Sequence, residues 1–300
     1  MNSMGKGLLG AFSATAIWAV NYLVSRALFG EYAEKFNEFF ISVLHCILTV
    51  LCLLPFTFRN GDWQLFRRNW RRDGGMFLLL GFFVFAEMLC VFVSAKYTTA
   101  ARSSLMANTS PVFTLLISFL AAKESLNGRK ITGMLMGLTG VMLLGSSGGG
   151  DMFFAGGSMI FGDLLALISG VCWAAFTVFG SATAVKYGGM FFACLLRMIS
   201  LLFILPLLVV FPEKITLQMP AAVWCGIAWL GIFPCGVAVA LWSRGQKYLA
   251  PGLLGSFGYV SALGTVLLSA IVLGEKVTWQ LVTSAVLIIA GVGLMMRHEK

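Results

Sequence analysis

The sequence predicts an all-α membrane protein of ten transmembrane helices, arranged as two inverted five-helix repeats around a central cavity. Three observations carry that prediction. The 300 residues are 59% hydrophobic and 11% charged, with a mean hydropathy of +0.91, which leaves too little polar surface to cover a water-soluble body of this size. The apolar residues come in stretches of about 20, the length at which a helix rising about 1.5 Å per residue crosses a hydrocarbon core of about 30 Å. The second half of the chain also repeats the first.

Taken in order, the predicted spans are 7–28, 37–58, 75–95, 103–122, 130–147, 158–182, 189–211, 221–242, 252–273 and 278–296, joined by short links that carry the Pro, Asn, Asp and charged residues. The first begins like a secretory signal, with Lys6 ahead of an apolar run and an Ala14-Thr15-Ala16 triplet. That triplet lies inside the run, so a retained span is expected rather than a cleaved leader. The second span carries His45, read as a satisfied buried histidine rather than a relay. The third follows the basic run RRNWRR at 67–72 and contains Glu87 amid apolar residues. The fourth holds Pro111 and a row of hydroxyls, the fifth a glycine row at Gly133, Gly137 and Gly140, and the seventh a lone Arg197.

Basic loops resist translocation, so Lys and Arg counts set orientation. One set of loop ends holds Lys6, Arg59, Arg67, Arg68, Arg71, Arg72, Lys123, Arg129, Lys130, Lys186, Arg244, Lys247, Arg297 and Lys300, and the opposite set holds only Lys35, Lys96, Arg102, Lys214 and Lys276. Both termini are therefore expected in the cytoplasm, with the protein in the cytoplasmic (inner) membrane. The net charge of +9 is largely this bias. A nucleic-acid partner is a poor reading of RRNWRR, because the run sits in a short link beside a span, where arginines suit anionic lipid headgroups.

All seven cysteines fall in predicted spans without a CxxC pair, and the two histidines, His45 and His298, are far apart. No metal site, catalytic group or cofactor is expected from them. No GxxxxGK[ST] loop is present, which removes the usual phosphate cradle of an ATP-driven pump.

An offset of 151 residues pairs Lys96/Lys247, Tyr97/Tyr248, Ser110/Ser261, Thr114/Thr265, Glu124/Glu275 and Gly140/Gly291, and an offset of 155 pairs Gly7/Gly162, Trp18/Trp173 and Ala19/Ala174. The repeats divide the chain into 1–149 and 150–300. Five spans per copy is odd, so the second copy enters the membrane from the other side, and Glu124 and Glu275 are expected on opposite faces. Two such halves can exchange packing, which is the physical basis of alternating access.

Four stretches carry a family resemblance: GLLGAFSATAIWAVNYLVSRAL at 7–28, SSLMANTSPVFTLLISFLAAKESL at 103–126, GDLLALISGVCWAAFTVFG at 162–180 and LGEKVTWQLVTSAVLIIAGVGL at 273–294. The chain resembles the drug/metabolite transporter superfamily, specifically its EamA type with two EamA units, over essentially its whole length. The resemblance implies a basket-like bundle with a central substrate cavity, spans five and ten being peripheral. The chain departs from the common family wording at Ala19, where glycine often follows the tryptophan, and Glu87 belongs to no family motif.

Ser110 and Thr114 on the fourth span, and Ser261 and Thr265 on the ninth, recur at helical spacing. Such stripes serve either close helix packing or cavity lining. As a symmetry-related pair, joined by Asn108 and Pro111, they are expected to line the cavity with Tyr259. Trp18 and Trp173 lie near mid-span, away from the interfaces where Trp usually collects, and are expected to wall it, with Asn21 one turn past Trp18. The glycine row of the fifth span fits packing against another helix or a second protomer, which leaves a homodimer open.

A charge at bilayer depth costs about 2.5–3.5 kcal/mol on insertion scales, so Glu87 is expected to face the interior or a water-filled cavity. It could couple transport by carrying a proton, contact an amine-bearing substrate, or pair with Arg197. The function expected is secondary transport, with export favoured, of a small organic metabolite such as an amino acid across the cytoplasmic membrane by alternating access. The competing class is an intramembrane enzyme or lipid-handling protein using Glu87 as acid or base, which lacks a nucleophile–base or metal constellation.

Overall fold

The computed structural model describes residues 3–32, 35–58, 61–97, 103, 106–121, 124–146, 157–273 and 279–296. These form ten helical elements: α1 Ser3–Tyr32, α2 Glu38–Thr57, α3 Asp62–Tyr97, α4 Ser110–Ala121, α5 Gly128–Ser146, α6 Gly157–Tyr187, α7 Gly189–Val210, α8 Ala221–Tyr248, α9 Pro251–Leu273 and α10 Trp279–Met296. Six of them, α2, α3, α6, α7, α8 and α10, are long and apolar enough to cross a membrane. Large apolar side chains such as Val209 and Ile271 are 83% and 79% exposed, an arrangement that suits lipid and would be costly in water.

Three boundaries differ from the sequence expectation, each for a local reason. Helix α3 starts at Asp62, thirteen residues before the apolar run begins at 75, because Phe66 is buried and rings of Phe77, Tyr187 and Phe191 pack around it at 5.1–6.0 Å. The fourth span is interrupted: a turn at Asn108–Thr109 precedes α4, with the Thr109 amide and hydroxyl both donating to the Met106 carbonyl. Pro111 therefore sits in the first turn of α4, where a missing N–H costs nothing. The eighth span continues to Tyr248 and contains a π-helical stretch, Phe233–Ala238.

The chain falls into two compact units, each built from both sequence halves. One comprises Met1–Phe85 and Gly180–Tyr248, the other Ala86–Phe179 and Leu249–Lys300. In the first, Asn37 caps α2 by accepting from the Phe40 amide at 2.9 Å, and its own amide group donates to the Phe211 and Glu213 carbonyls, both at 2.8 Å. One side chain thus starts a helix and ties down the loop after α7. Gly188, with φ of 76°, makes the sharp junction between α6 and α7.

In the second unit α5 lies along α10 with their backbones almost touching. A Cβ on Gly133 would lie 2.6 Å from the Gly291 carbonyl oxygen, one on Gly291 2.5 Å from that of Gly133, and one on Gly140 3.1 Å from that of Ser284. Contacts that rise along one helix descend along the other, so the two run antiparallel. The fifth-span glycine row is thus a packing face for another helix of the same chain. Beside it Tyr259, Leu281 and Ile288 form a buried apolar cluster.

Candidate functional site

The expected cavity residues divide between the two units, and each group has its own geometry. Trp18, Asn21 and Arg197 belong to the first unit; Glu87, Asn108, Ser110, Thr114, Trp173, Tyr259, Ser261 and Thr265 belong to the second.

In the first unit the focus is the π-helical stretch of α8. Pro234 brings no N–H and its ring cannot share space with the preceding turn of an ordinary helix, so the helix widens there. Two carbonyls beside the widened turn are taken by neighbouring helices. Trp18 Nε1 on α1 donates to the Pro234 carbonyl at 3.1 Å, and Thr49 Oγ1 on α2 donates to the Gly231 carbonyl at 2.7 Å. The Trp18 ring also packs on the fully buried Trp242, centroids 5.1 Å apart. Gly231 permits this approach, since a Cβ there would sit 2.8 Å from the His45 carbonyl oxygen.

Around that junction lie polar atoms sealed from solvent. Asn21 Oδ1 is buried without a hydrogen-bond partner among the described residues, as is His45 Nδ1. His45 is buried as expected, and the Ile41 backbone one turn earlier acts on its ring although Nδ1 lacks a full hydrogen bond among the described residues. The other nitrogen lies 3.6 Å from Cys46 Sγ, and the buried Arg197 guanidinium acts electrostatically on both residues. His45, Thr49, Pro234 and Trp242 were absent from the expected site. The signal for them was LGIFPCG at 230–236, a proline flanked by glycines inside an apolar run.

In the second unit the hydroxyl stripe of α4 packs on the glycines of α9. Thr114 fills the notch at Gly255, where a Cβ would lie 2.7 Å from its methyl group, and Ser110 and Pro111 lie over Gly258. Thr114 and Thr265 donate back to their own helices, to the Ser110 and Ser261 carbonyls at 2.9 and 3.0 Å. Tyr259 packs its ring into the notch at Gly137. Its hydroxyl, Ser261 Oγ and Ser118 Oγ are buried without partners among the described residues. At the turn before α4, Asn108 is buried, and Gly170 of α6 lets the Ala107 carbonyl oxygen approach closely, 3.0 Å from where a Cβ would stand.

Glu87 is half-buried, and its carboxylate interacts electrostatically with Cys90 on its own helix and Cys172 on α6. Trp173, also half-buried, has its ring 5.1 Å from that of Phe176. One end of α9 is closed by Glu124, which accepts from Lys130 Nζ at 2.6 Å and from the Gly252 amide at 3.1 Å. That places a carboxylate at a helix N-terminus, where the dipole favours it. Its repeat partner Glu275 lies outside the described residues.

Among the described residues no three His, Cys, Asp or Glu side chains cluster as metal ligands. What both groups offer is buried hydrogen-bonding capacity: the Asn21 side-chain carbonyl oxygen and several hydroxyls without partners among the described residues. Such groups suit a polar small molecule or water that can replace their missing partners.

Comparison with known proteins identifies the family. The model of the EamA-like transporter family matches residues 5–146 and again 160–297. An uncharacterized transporter of Archaeoglobus fulgidus is 29% identical over 205 residues, covering 68% of this chain and 69% of that protein. The uncharacterized transporter YetK of Bacillus subtilis is 23% identical over 282 residues, covering 90% and 82%. A solved crystal structure superposes with a TM-score of 0.80 at 20% identity, covering 98% of this chain and 97% of its own, which shows a shared fold. With two matches of one family model spanning nearly all of its length, and with helices suited to lipid, the chain is a multi-pass membrane protein that belongs to the EamA-like transporter family.

Proposed function

We propose that this transporter is a secondary carrier that exports a small organic metabolite, such as an amino acid, across the cytoplasmic membrane by alternating access between two inverted repeats of five spans, 1–149 and 150–300. The observation that carries the reading is the crossed contact of α5 and α10. In the repeat register Gly140 corresponds to Gly291 and Gly133 to Ser284; in space Gly133 meets Gly291 and Gly140 meets Ser284. That exchange is what two-fold-related copies make. An antiparallel pair supports copies threaded in opposite senses, whereas a tandem repeat in one sense would give corresponding helices the same direction.

The cavity residues named above supply the binding chemistry in this reading, and both termini face the cytoplasm. Glu87 is the coupling group, loading a proton in one access state and releasing it in the other. Export is favoured through the family alone.

Reconstituted vesicles loaded with single amino acids and related metabolites test the function: saturable flux of at least one is expected, and none across a broad panel overturns it. Glu87→Gln should abolish dependence on a pH gradient while substrate binding persists. Lost folding instead, rescued by removing the charge of Arg197 as well, would assign Glu87 to a structural ion pair. Reporter fusions after residues 124 and 275 should report opposite sides of the membrane.

A further inference from the structure

The 36 residues of α3 are more than a span requires. At 1.5 Å per residue the helix is about 54 Å long, and the apolar part from residue 75 onward already suffices for a hydrocarbon core of about 30 Å. The preceding turns carry Arg67, Arg68, Arg71 and Arg72, all exposed, with the Arg72 side chain 85% accessible. Their direction matters more than their number. At about 100° per residue the four occupy one arc of about 140° on the helix surface. The exposed apolar residues Leu78, Leu79 and Phe82, further along, fall inside that same arc. The buried Phe66, Phe77 and Val84 occupy the opposite side.

The arginines therefore stand directly above the stripe that faces lipid tails, about 4–12 Å beyond the start of the apolar run. That is the depth of the phosphates and the layer just outside them. The acids of these turns, Asp62 and Asp73, do not cancel them, since both fall on the side opposite the arc. Asp73 lies on the protein side of the helix, held by Lys186 and the Tyr187 hydroxyl, and touches Arg72 only at 4.0 Å. Trp70, 49% exposed, stands outside the arc on the Phe66 side, its ring 5.3 Å from that of Phe66, and is a residue type that settles at headgroup level.

We infer that this arginine face of α3 is a docking site for anionic phospholipid headgroups of the adjoining leaflet. The inference is independent of the carrier's substrate, direction and coupling. A soluble acidic or nucleic-acid partner fits less well, because approaching side chains that share the lipid-facing arc would bring it into the bilayer surface.

The purified full-length protein, titrated in detergent with phosphatidylglycerol and with phosphatidylcholine, tests this by native mass spectrometry of the bound lipids. At about fivefold per arginine within reach of one headgroup, two arginines give a preference of roughly 25-fold for phosphatidylglycerol. The R67Q/R68Q/R71Q/R72Q variant should bring the preference close to one, while R67K/R68K/R71K/R72K should retain it. If the glutamine variant does not fold, R71Q/R72Q and a salt titration of the wild type decide the matter, each lowering the preference if the assignment is right. A preference that survives the substitutions or high salt, or is lost with lysine, overturns it. Displacement of the lipid by millimolar glycerol phosphate would reassign the arginines to a soluble phosphate ester and overturn it equally.

Discussion

Two helix junctions in this molecule are held by opposite means. Where α5 meets α10, glycines bring backbone against backbone: each Cβ that is absent from Gly133 and Gly291 is what allows the other helix to be there. Where α1 and α2 meet α8, the helix itself is irregular and side chains reach across to carbonyls beside its widened turn, Trp18 to Pro234 and Thr49 to Gly231. The first junction gains from dispersion over a large close contact and tolerates no added volume. The second depends on a few directed bonds and tolerates changes of shape better than loss of a donor. A carrier needs both kinds, since a contact without directional bonds fixes two rods along their length, while a junction of single bonds can be remade.

The largest expected effect breaks the first junction. Gly291→Val should lower stability by about 3 kcal/mol, since the backbone of Gly133 cannot retreat from the new side chain; thermal unfolding in detergent reads it, and an unchanged midpoint would mean that the helices part easily. Trp18→Phe keeps a ring on Trp242 but removes the donor to Pro234, and Thr49→Val does the same at Gly231. Each should cost about 0.6–1.7 kcal/mol, the range for hydrogen bonds between membrane helices. Their effect on transport rate should exceed their effect on unfolding, a ratio that sharpens the contrast if flux and stability are measured on the same preparations. The smallest effect belongs to Thr283→Val. Among the described residues its exposed hydroxyl bonds the Trp279 carbonyl of its own helix, at 3.0 Å, so unfolding should shift by no more than about 0.5 kcal/mol.

Much of the architecture was legible because lipid imposes a simple code. Runs of about 20 apolar residues mark helices whether or not their partners are known, and the paired Trp18/Trp173 and Glu124/Glu275 mark a repeat without any structure. Contacts were less legible. The Ser110–Thr114 and Ser261–Thr265 stripes were expected, as a pair, to line a cavity, and Thr114 lodged at Gly255 shows that one level of the stripe is a seam. Nothing in periodicity says which face of a wholly apolar helix meets which neighbour, so the His45–Cys46–Arg197 grouping was invisible. The α3 extension was missed because a hydropathy window sees RRNWRR as a link. It is the burial of Phe66, one residue ahead of the arginines, that keeps those turns helical.

The widened turn at Phe233–Ala238 also bears on how this helix can change in length. A π-type stretch accommodates about one residue more than an α-helix spanning the same distance, so it is a place where one residue can be lost without rotating everything downstream. Deleting Pro234 would leave an ordinary helix with every donor in place and Trp242 still aimed at α1. The same deletion a few residues later, in Val239–Trp242, would swing the remainder of α8 by about 100°. Natural variants of this chain that differ by a single residue in α8 are therefore expected to have gained or lost it here, and those without the extra residue should also have dispensed with an indole donor at position 18.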